Sequence, residues 1–217
     1  MTCCSGHCAA ASFFDPKVAQ RDLRRYLRRG PDPWTRVLLS ELRRQPLQGL
    51  HLLDVGGGIG VIALELADSG LAIVTLADAS PAYLDVARRQ VTERYDTRPA
   101  HFVLGDFVET APTLPNADVA TLDRVVCCYP DVDALLWAAS ARARRLIAFT
   151  YPRDRWYVRA AIAVENFWRW LTRSPFRAFI HSPQHMTSLL EAAGFARAAH
   201  RDSLAWSLDL FQRPPST

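Results

Sequence analysis

The feature that most constrains the fold is a glycine-rich turn between an apolar segment and a helical segment. The sequence LLDVGGGIG places Asp54, Gly56, Gly58 and Gly60 at D-x-G-x-G-x-G spacing. Glycine permits positive φ angles, and it lets a ligand lie against bare backbone at the start of a helix. The turn therefore predicts an α/β fold with a ligand site at the end of its first strand. A dinucleotide-binding fold carries a similar turn, so this motif alone leaves the ligand open.

Short apolar β segments alternate with helical segments from Leu50 onward, as a parallel sheet with crossover helices requires. The predicted strands cover residues 50–55, 72–77, 101–104, 118–122, 145–150, 196–201 and 205–212, and the last two form a terminal hairpin. The predicted helices cover residues 59–69, 81–95, 131–142, 155–172 and 183–194. The periodicity thus predicts one α/β domain built on a largely parallel sheet.

The same patterns predict three parts of the chain. Residues 1–49 form an N-terminal arm with two cap helices, predicted at 15–30 and 34–44. The main domain follows at 50–217, and 217 residues suit one such domain. Within it, residues 151–182 are an inserted helical segment, interpreted as a lid.

The inserted helix at 155–172 is apolar over far more of its circumference than a surface helix needs, and it holds three of the six tryptophans. It fits a lid over a flat apolar acceptor. It fits equally a helix that packs on a dimer partner or on the N-terminal helices. A role at a membrane surface is a third alternative. The helix also carries arginines that could face anionic lipid, namely Arg155, Arg159, Arg169 and Arg173.

Acidic residues stand at the ends of the first three strands. Asp78 follows the glycine turn by about 20 residues, where a carboxylate can accept both hydroxyls of a ribose. Asp106 and Phe107 can bind an adenine, through its exocyclic amine and its ring respectively. Asp54 favours a cationic ligand over a pyrophosphate. The alternative for Asp78 is a helix cap, and for Asp106 a loop cap.

Together these motifs resemble the S-adenosylmethionine site of class I methyltransferases, and the resemblance covers residues 50–212. The terminal hairpin is similar to the reversed last strand of that fold. The resemblance implies an α/β, Rossmann-like, seven-stranded sheet with helices on both faces, and S-adenosyl-L-methionine as the cofactor. It implies these cofactor-binding residues: Asp54, Gly56, Gly57, Gly58, Gly60, Asp78, Ala79, Ser80, Asp106, Phe107, Asp123 and Arg124.

The fourth strand ends in LDRVVCCYPD, where substrate contacts are expected. Its Tyr-Pro step, the HSP sequence at His181 and the aromatic insertion resemble the magnesium-protoporphyrin O-methyltransferase group. That group carries a histidine directly before Tyr-Pro, and Cys128 occupies this position here. The resemblance implies methylation of a small acceptor, apolar and partly anionic, with O-methylation favoured. Tyr129 and His181 are the candidate catalytic residues.

The five cysteines form two clusters, at the N-terminus and in mid-chain. Free thiols predict a reducing compartment. Folding of the arm over the site would bring together ligands for zinc, another soft metal or a thiophilic substrate: Cys3, Cys4, His7, Cys8, Cys127 and Cys128. The spacing is not that of an ordinary zinc finger, so no metal is assigned.

Composition and charge narrow the classes of protein to which this chain can belong. No charge-free run reaches the ~18 residues of a membrane span, and the N-terminus lacks the features of a secretory signal. The net charge of +4 comes with a single lysine, Lys17, so the arginines do not by themselves predict nucleic-acid binding. A cytoplasmic enzyme acting on a small molecule is expected, with a homodimer left open. The alternatives are a nicotinamide-dependent reductase, which needs neither LGDF nor Asp54, and a non-catalytic binding module.

Overall fold

The computed structural model describes residues 14–214, so Cys3, Cys4, His7 and Cys8 lie outside the described range. Helices α1 (Pro16–Arg29) and α2 (Pro33–Leu42) precede the sheet. The strands are β1 (His51–Val55), β2 (Ile73–Asp78), β3 (Ala100–Leu104), β4 (Ala117–Asp123), β5 (Ala143–Pro152), β6 (Ala196–Asp202) and β7 (Trp206–Gln212). The other helices are α3 (Val61–Leu66), α4 (Pro81–Tyr95), α5 (Phe107–Thr110), α6 (Val132–Arg142), α7 (Trp156–Leu171) and α8 (Pro183–Ala192). Single 3₁₀ turns cover Ala67–Ser69, Ala111–Thr113 and Val126–Cys128.

One seven-stranded sheet has the order β3-β2-β1-β4-β5-β7-β6. The first five strands of this order are parallel, and β7 runs antiparallel between β5 and β6. The predicted seven-stranded α/β sheet with its terminal hairpin is confirmed. The carboxyl ends of β1 to β4 lie along one edge, which is where such sheets place their ligands.

Helices cover both faces of the sheet. Successive strand residues point to opposite faces, so Leu52 packs in the cluster that contains α2, α3 and α4, and Leu53 packs in the cluster that contains α6 and α8. A third cluster joins α1 to α4 through Ala19 and Tyr83. The N-terminal helices are therefore packed onto the sheet domain.

The helix starts follow local capping chemistry. Asp15 accepts from the backbone N–H groups of Lys17 and Val18 at 2.7 and 2.9 Å, and Ser182 caps α8. The predicted start of α3 at residue 59 is wrong by two residues. Gly60 has φ +85°, a left-handed conformation that cannot belong to the helix, so α3 begins at Val61.

The predicted helix at 155–172 is confirmed as α7, but most of its large side chains face solvent. Trp156 is 80% exposed, Trp168 64% and Trp170 63%, while Val158 is buried. The polar side of α7 faces the protein instead, where the Asn166 side chain pairs with both backbone groups of Ala178 at 2.8 and 2.9 Å. These tryptophans therefore point away from the sheet domain in this structure, and the lid over an acceptor stays a prediction.

Candidate functional site

A cavity of about 690 Å³ lies at the carboxyl ends of β1 to β4, and α1, α2 and α7 contribute to its walls. This volume suits a small molecule. The predicted residues that line it are Asp54, Gly56, Gly57, Gly58, Asp78, Ala79, Asp106, Phe107, Asp123, Arg124 and Tyr129. The structure thus brings together residues from four strand ends, whereas the predicted residues Gly60, Ser80 and His181 are not part of the cavity wall.

The glycines of the turn differ in what surrounds them. Gly56 has φ +60°, and an added Cβ would lie 2.4 Å from Cγ2 of Val125. Gly60 lies close to the core, since its Cβ would lie 2.8 Å from Cγ2 of Val91. Gly58 has φ +55°, and a Cβ there would meet no described atom within 4 Å. Gly58 therefore presents bare backbone to the cavity, and Gly60 serves packing.

Asp54 is buried at the end of β1, with 2% exposure. Its Oδ1 accepts from the Thr121 hydroxyl at 2.7 Å, whereas its buried Oδ2 has no hydrogen-bond partner within residues 14–214. Burial, together with the nearby carboxylates of Asp123 and Asp78, raises the pKa of Asp54 to about 7. A buried acceptor without a donor at a cavity wall fits a ligand that brings a positive charge or an N–H group.

Asp78 ties the glycine turn to the start of α4. Its Oδ2 accepts from the Gly58 backbone N–H and its Oδ1 from the Ser80 N–H, both at 2.8 Å. Ser80 is the residue that caps α4, through the Tyr83 N–H, and its hydroxyl donates to the carbonyl of Phe14. Ser80, and not Asp78, therefore caps α4, and Asp78 lines the cavity.

Asp106 and Tyr129 form a second polar pair in the wall. The Tyr129 hydroxyl donates to Asp106 Oδ1 at 2.8 Å, and the same oxygen accepts from the Val108 N–H, which caps α5. Burial and the Asp106 carboxylate raise the pKa of Tyr129 well above its ordinary value. The phenol therefore stays protonated at neutral pH and acts as a donor.

Asp123 connects the N-terminal helices to the sheet. It accepts from the hydroxyls of Thr35 in α2 and Thr150 in β5, both at 2.5 Å. Arg124, with φ +58°, places Nη1 3.5 Å from Asp32, just before α2. Sequence reasoning missed Thr35 and Asp32, since only the packing of α2 on the sheet brings them near β4.

The cavity wall also contains residues of α1 and α7. Arg21, Arg25 and Tyr26 contribute from α1, and Tyr26 donates to Glu65 at 3.1 Å. Burial raises the pKa of Tyr26 to about 12. Arg169 contributes from α7. Tyr26 thus reaches the cavity, and each of the three arginines stands beside an acidic residue that also lines it, namely Asp22, Asp32 and Glu165.

The paired cysteines lie in the 3₁₀ turn after β4. The sulfurs of Cys127 and Cys128 are 3.7 Å apart, and both residues line the cavity. The hydrogen bond between the thiols raises the pKa of Cys127 and lowers that of Cys128, near which Arg169 also favours the thiolate. Among the described residues, no three His, Cys, Asp or Glu side chains are grouped as metal ligands.

His181 does not line the cavity, and its Nε2 lies 3.0 Å from the carbonyl oxygen of Tyr129.

Known proteins resemble this chain in one sequence region and in overall fold. Residues 52–148 match the family described as a methyltransferase domain. No curated protein matches the sequence at a significant level.

In the part of the chain that is described, no helix is long and apolar enough to cross a membrane.

Three solved structures illustrate the similarity of fold. Magnesium protoporphyrin IX methyltransferase from Synechocystis PCC 6803 with bound SAH is 18% identical, with 96% of this chain and 100% of that chain covered and a TM-score of 0.73. A protein in complex with the Haloferax volcanii Trm112 methyltransferase activator is 17% identical, with 96% and 99% covered and a TM-score of 0.70. An O-methyltransferase family protein from Burkholderia thailandensis is 15% identical, with 92% and 60% covered and a TM-score of 0.67.

The domain match and the fold agree with the motifs at the strand ends and with the predicted cofactor, since structures of the Synechocystis protein contain SAH or SAM. Residues 52–148 thus match a methyltransferase domain, and the whole chain has the Rossmann-like fold of the methyltransferase structures that it resembles.

Proposed function

We propose that this protein transfers the methyl group of S-adenosylmethionine to an oxygen of a small acceptor that is apolar and partly anionic. The observation that carries the proposal is the convergence of Asp54, Asp78 and Asp106 on one cavity beside the glycine turn. The Burkholderia thailandensis neighbour, an O-methyltransferase family protein, supports oxygen as the acceptor atom.

The three carboxylates have distinct roles in this proposal. Asp78 accepts from the ribose hydroxyls, Asp106 accepts from the adenine amine beside Phe107, and Asp54 faces the ammonium group. The remaining cofactor-side residues border or support these three: Gly56, Gly57, Gly58, Gly60, Ala79, Ser80, Asp123 and Arg124. The bound cofactor supplies a methyl group already activated by its sulfonium, so the protein has to align the acceptor and exclude water.

The acceptor side of the cavity combines apolar and basic groups. Ile162 and Trp206 offer apolar surface, and Arg21, Arg25 and Arg169 offer guanidinium groups for an anionic substituent. A carboxylate acceptor is already ionised at neutral pH and needs no general base. This agrees with a cavity whose phenol is held protonated against a carboxylate.

Tyr129 and His181 keep a role as positioning residues. Tyr129 orients Asp106 through its hydroxyl, and His181 holds the Tyr129 backbone through its carbonyl oxygen. We expect Tyr129→Phe to weaken binding of S-adenosylhomocysteine about fivefold, which corresponds to about 1 kcal/mol, the size of one typical hydrogen bond. Tyr157→Phe is the matched control, because the Tyr157 hydroxyl donates to the Leu204 carbonyl outside the cavity.

A ligand that lacks the adenine amine separates positioning from a general structural effect. S-Inosylhomocysteine carries a carbonyl in place of that amine. If Tyr129 acts through Asp106, the wild type discriminates between the two ligands and Tyr129→Phe discriminates less. An equal loss of affinity for both ligands would contradict the role.

The function itself is tested by calorimetric titration with S-adenosylhomocysteine, with NADH and NADPH as controls. Micromolar binding of S-adenosylhomocysteine alone is expected. Binding of a nicotinamide nucleotide instead would favour the reductase alternative. No binding by folded, ligand-free protein would favour the non-catalytic alternative.

The same titration, carried out on Gly58→Ala, tests whether the glycine turn is part of the binding site. Its Cβ meets no described atom, so the folding cost is limited to the positive φ, about 1 kcal/mol, while the methyl group enters the cavity. We expect affinity for S-adenosylhomocysteine to fall at least about tenfold. Gly49→Ala is the matched control, because Gly49 also has a positive φ, +75°, and open space around its Cβ, but lies outside the cavity. Equal affinities of the two variants would remove the turn from the binding site.

A cytoplasmic location is part of the same proposal. It is supported by the Cys127 and Cys128 thiols, which are both free and would stay reduced there.

A further inference from the structure

The outward side of α7 is an unusually apolar surface for a protein exterior. It consists of Trp156, Tyr157, Val164, Phe167, Trp168, Trp170 and Leu171, here called the aromatic face. Each of these side chains is at least 38% exposed, and Trp156 reaches 80%. Contiguous exposed apolar residues of this kind mark interaction sites.

The rotation of α7 that exposes this face is fixed by specific contacts on its other side. Asn166 makes two hydrogen bonds to the backbone of Ala178, and the Arg169 guanidinium lies 4.5 Å from the centre of the Phe176 ring. Val158 is buried on the same side. A helix that turns its polar residues inward and its tryptophans outward is built to present the tryptophans.

Positive charge borders the aromatic face at both ends. Exposed Arg155 precedes its first turn and exposed Arg173 follows its last turn, whereas Arg159 in the first turn is paired with Asp154. No acidic residue belongs to the face, since Glu165 lines the cavity and pairs with Arg169.

Helix α1 adds further positive charge near the same cavity. Its exposed side carries Leu27, 66% exposed, among arginines that include Arg24 and Arg28. Phe14, just before α1, packs on Phe176, just after α7, with ring centroids 5.7 Å apart. The two helices thus bring apolar and basic side chains to one region of the protein.

We propose that the aromatic face docks on an anionic membrane surface. Tryptophan and tyrosine favour the interface between lipid headgroups and acyl chains, and flanking arginines favour anionic headgroups. A second copy of the chain fits less well. A two-fold contact through α7 would place the flanking arginines of one copy near those of the other, and like charges repel. Nucleic acid also fits less well, since the middle of the face has no cation to meet a phosphate.

Docking in this way determines where the acceptor comes from. The side of α7 opposite the aromatic face lines the cavity through Ile162 and Arg169, so the cavity lies directly behind the docked helix. An amphipathic acceptor that partitions into the bilayer surface would then reach the cavity without crossing bulk water. This delivery of the acceptor from the bilayer depends on the proposed function, whereas docking of the aromatic face does not.

Flotation with lipid vesicles tests the docking without any need for activity. The full chain is expected to float with vesicles of phosphatidylcholine and phosphatidylglycerol, and to bind vesicles of phosphatidylcholine alone at least about tenfold more weakly. Brominated acyl chains are expected to quench the tryptophan fluorescence of the bound protein. S-Adenosylhomocysteine binding in solution is measured separately, so a failure of the proposed function is distinguishable from a failure of docking.

Two pairs of variants identify the surface. The double variant Trp168→Ser/Trp170→Ser is expected to lose binding, while Trp137→Ser, at a half-exposed tryptophan on α6, keeps it. Arg155→Glu/Arg173→Glu is expected to lose the preference for anionic lipid, while Arg144→Glu, at the start of β5, retains it.

Three results would overturn the proposal. These are no binding of the wild type to anionic vesicles, binding that survives Trp168→Ser/Trp170→Ser, and a stable dimer in solution that the same double variant dissociates. The last result would assign the aromatic face to a second copy. Light scattering after size exclusion distinguishes it, and the fluorescence quenching of the wild type keeps the test independent of how the variants fold.

Discussion

Asp54→Asn is expected to raise the free energy of unfolding of the ligand-free protein by about 2 kcal/mol near pH 8. The pKa of Asp54 in the folded protein is about 7, above its ordinary value of 3.8. The folded state therefore holds this proton more tightly than the unfolded state, and the stabilisation is complete below the ordinary value and is lost as pH rises through about 7. Asparagine carries no charge at any pH, so the gain should be larger near pH 8 than near pH 5, where the folded carboxyl is still protonated and only part of the stabilisation is lost. Urea denaturation at the two pH values measures it.

The same variant is expected to bind S-adenosylhomocysteine about 100-fold more weakly, because a carboxylate facing an ammonium group is replaced by an amide. Higher stability together with lower affinity cannot arise from misfolding. The Asp209→Asn variant is the control, since Asp209 is equally buried but accepts from Tyr151 at 2.6 Å outside the main cavity. It should lose stability and keep its affinity. A destabilised Asp54→Asn protein near pH 8, or one with unchanged affinity, would contradict the role given to Asp54.

The second large effect is expected for Asp78→Ala, which should weaken binding of S-adenosylhomocysteine by at least about 100-fold. The substitution removes the proposed acceptor for the ribose hydroxyls. It also leaves the backbone N–H groups of Gly58 and Ser80 without the oxygens they reach at 2.8 Å, so the glycine turn loses its anchor to α4. Titration calorimetry measures the affinity, and thermal unfolding shows whether the fold is retained.

Ser80→Ala separates the two contributions to the Asp78 effect. It removes the cap of α4, at a cost of about 1 kcal/mol in stability, and leaves the Asp78 carboxylate in place. Its affinity for S-adenosylhomocysteine should stay close to that of the wild type. If Ser80→Ala and Asp78→Ala lose affinity equally, Asp78 acts only by holding the backbone, and the direct contact to the ligand is disproved.

The amino-acid sequence by itself determined the order of the elements and the edge of the sheet that carries the cavity. Alternating apolar patterns are local, and parallel strands bring their carboxyl ends to one edge whatever surrounds them. For this reason the sequence alone predicts that Asp54, Asp78 and Asp106 lie at the same edge of the sheet. The glycine turn was predictable on the same ground, since its positive φ angles are a property of the turn itself.

Only the tertiary structure decided which side of each helix meets the cavity. Because α7 is apolar on nearly all sides, its periodicity does not determine its rotation, and the contacts of Asn166 with Ala178 and Arg169 with Phe176 do. Contacts between residues distant in sequence likewise brought Thr35 to Asp123 and the Tyr129 hydroxyl to Asp106. Such contacts depend on how helices and turns pack against the sheet, which no local pattern encodes.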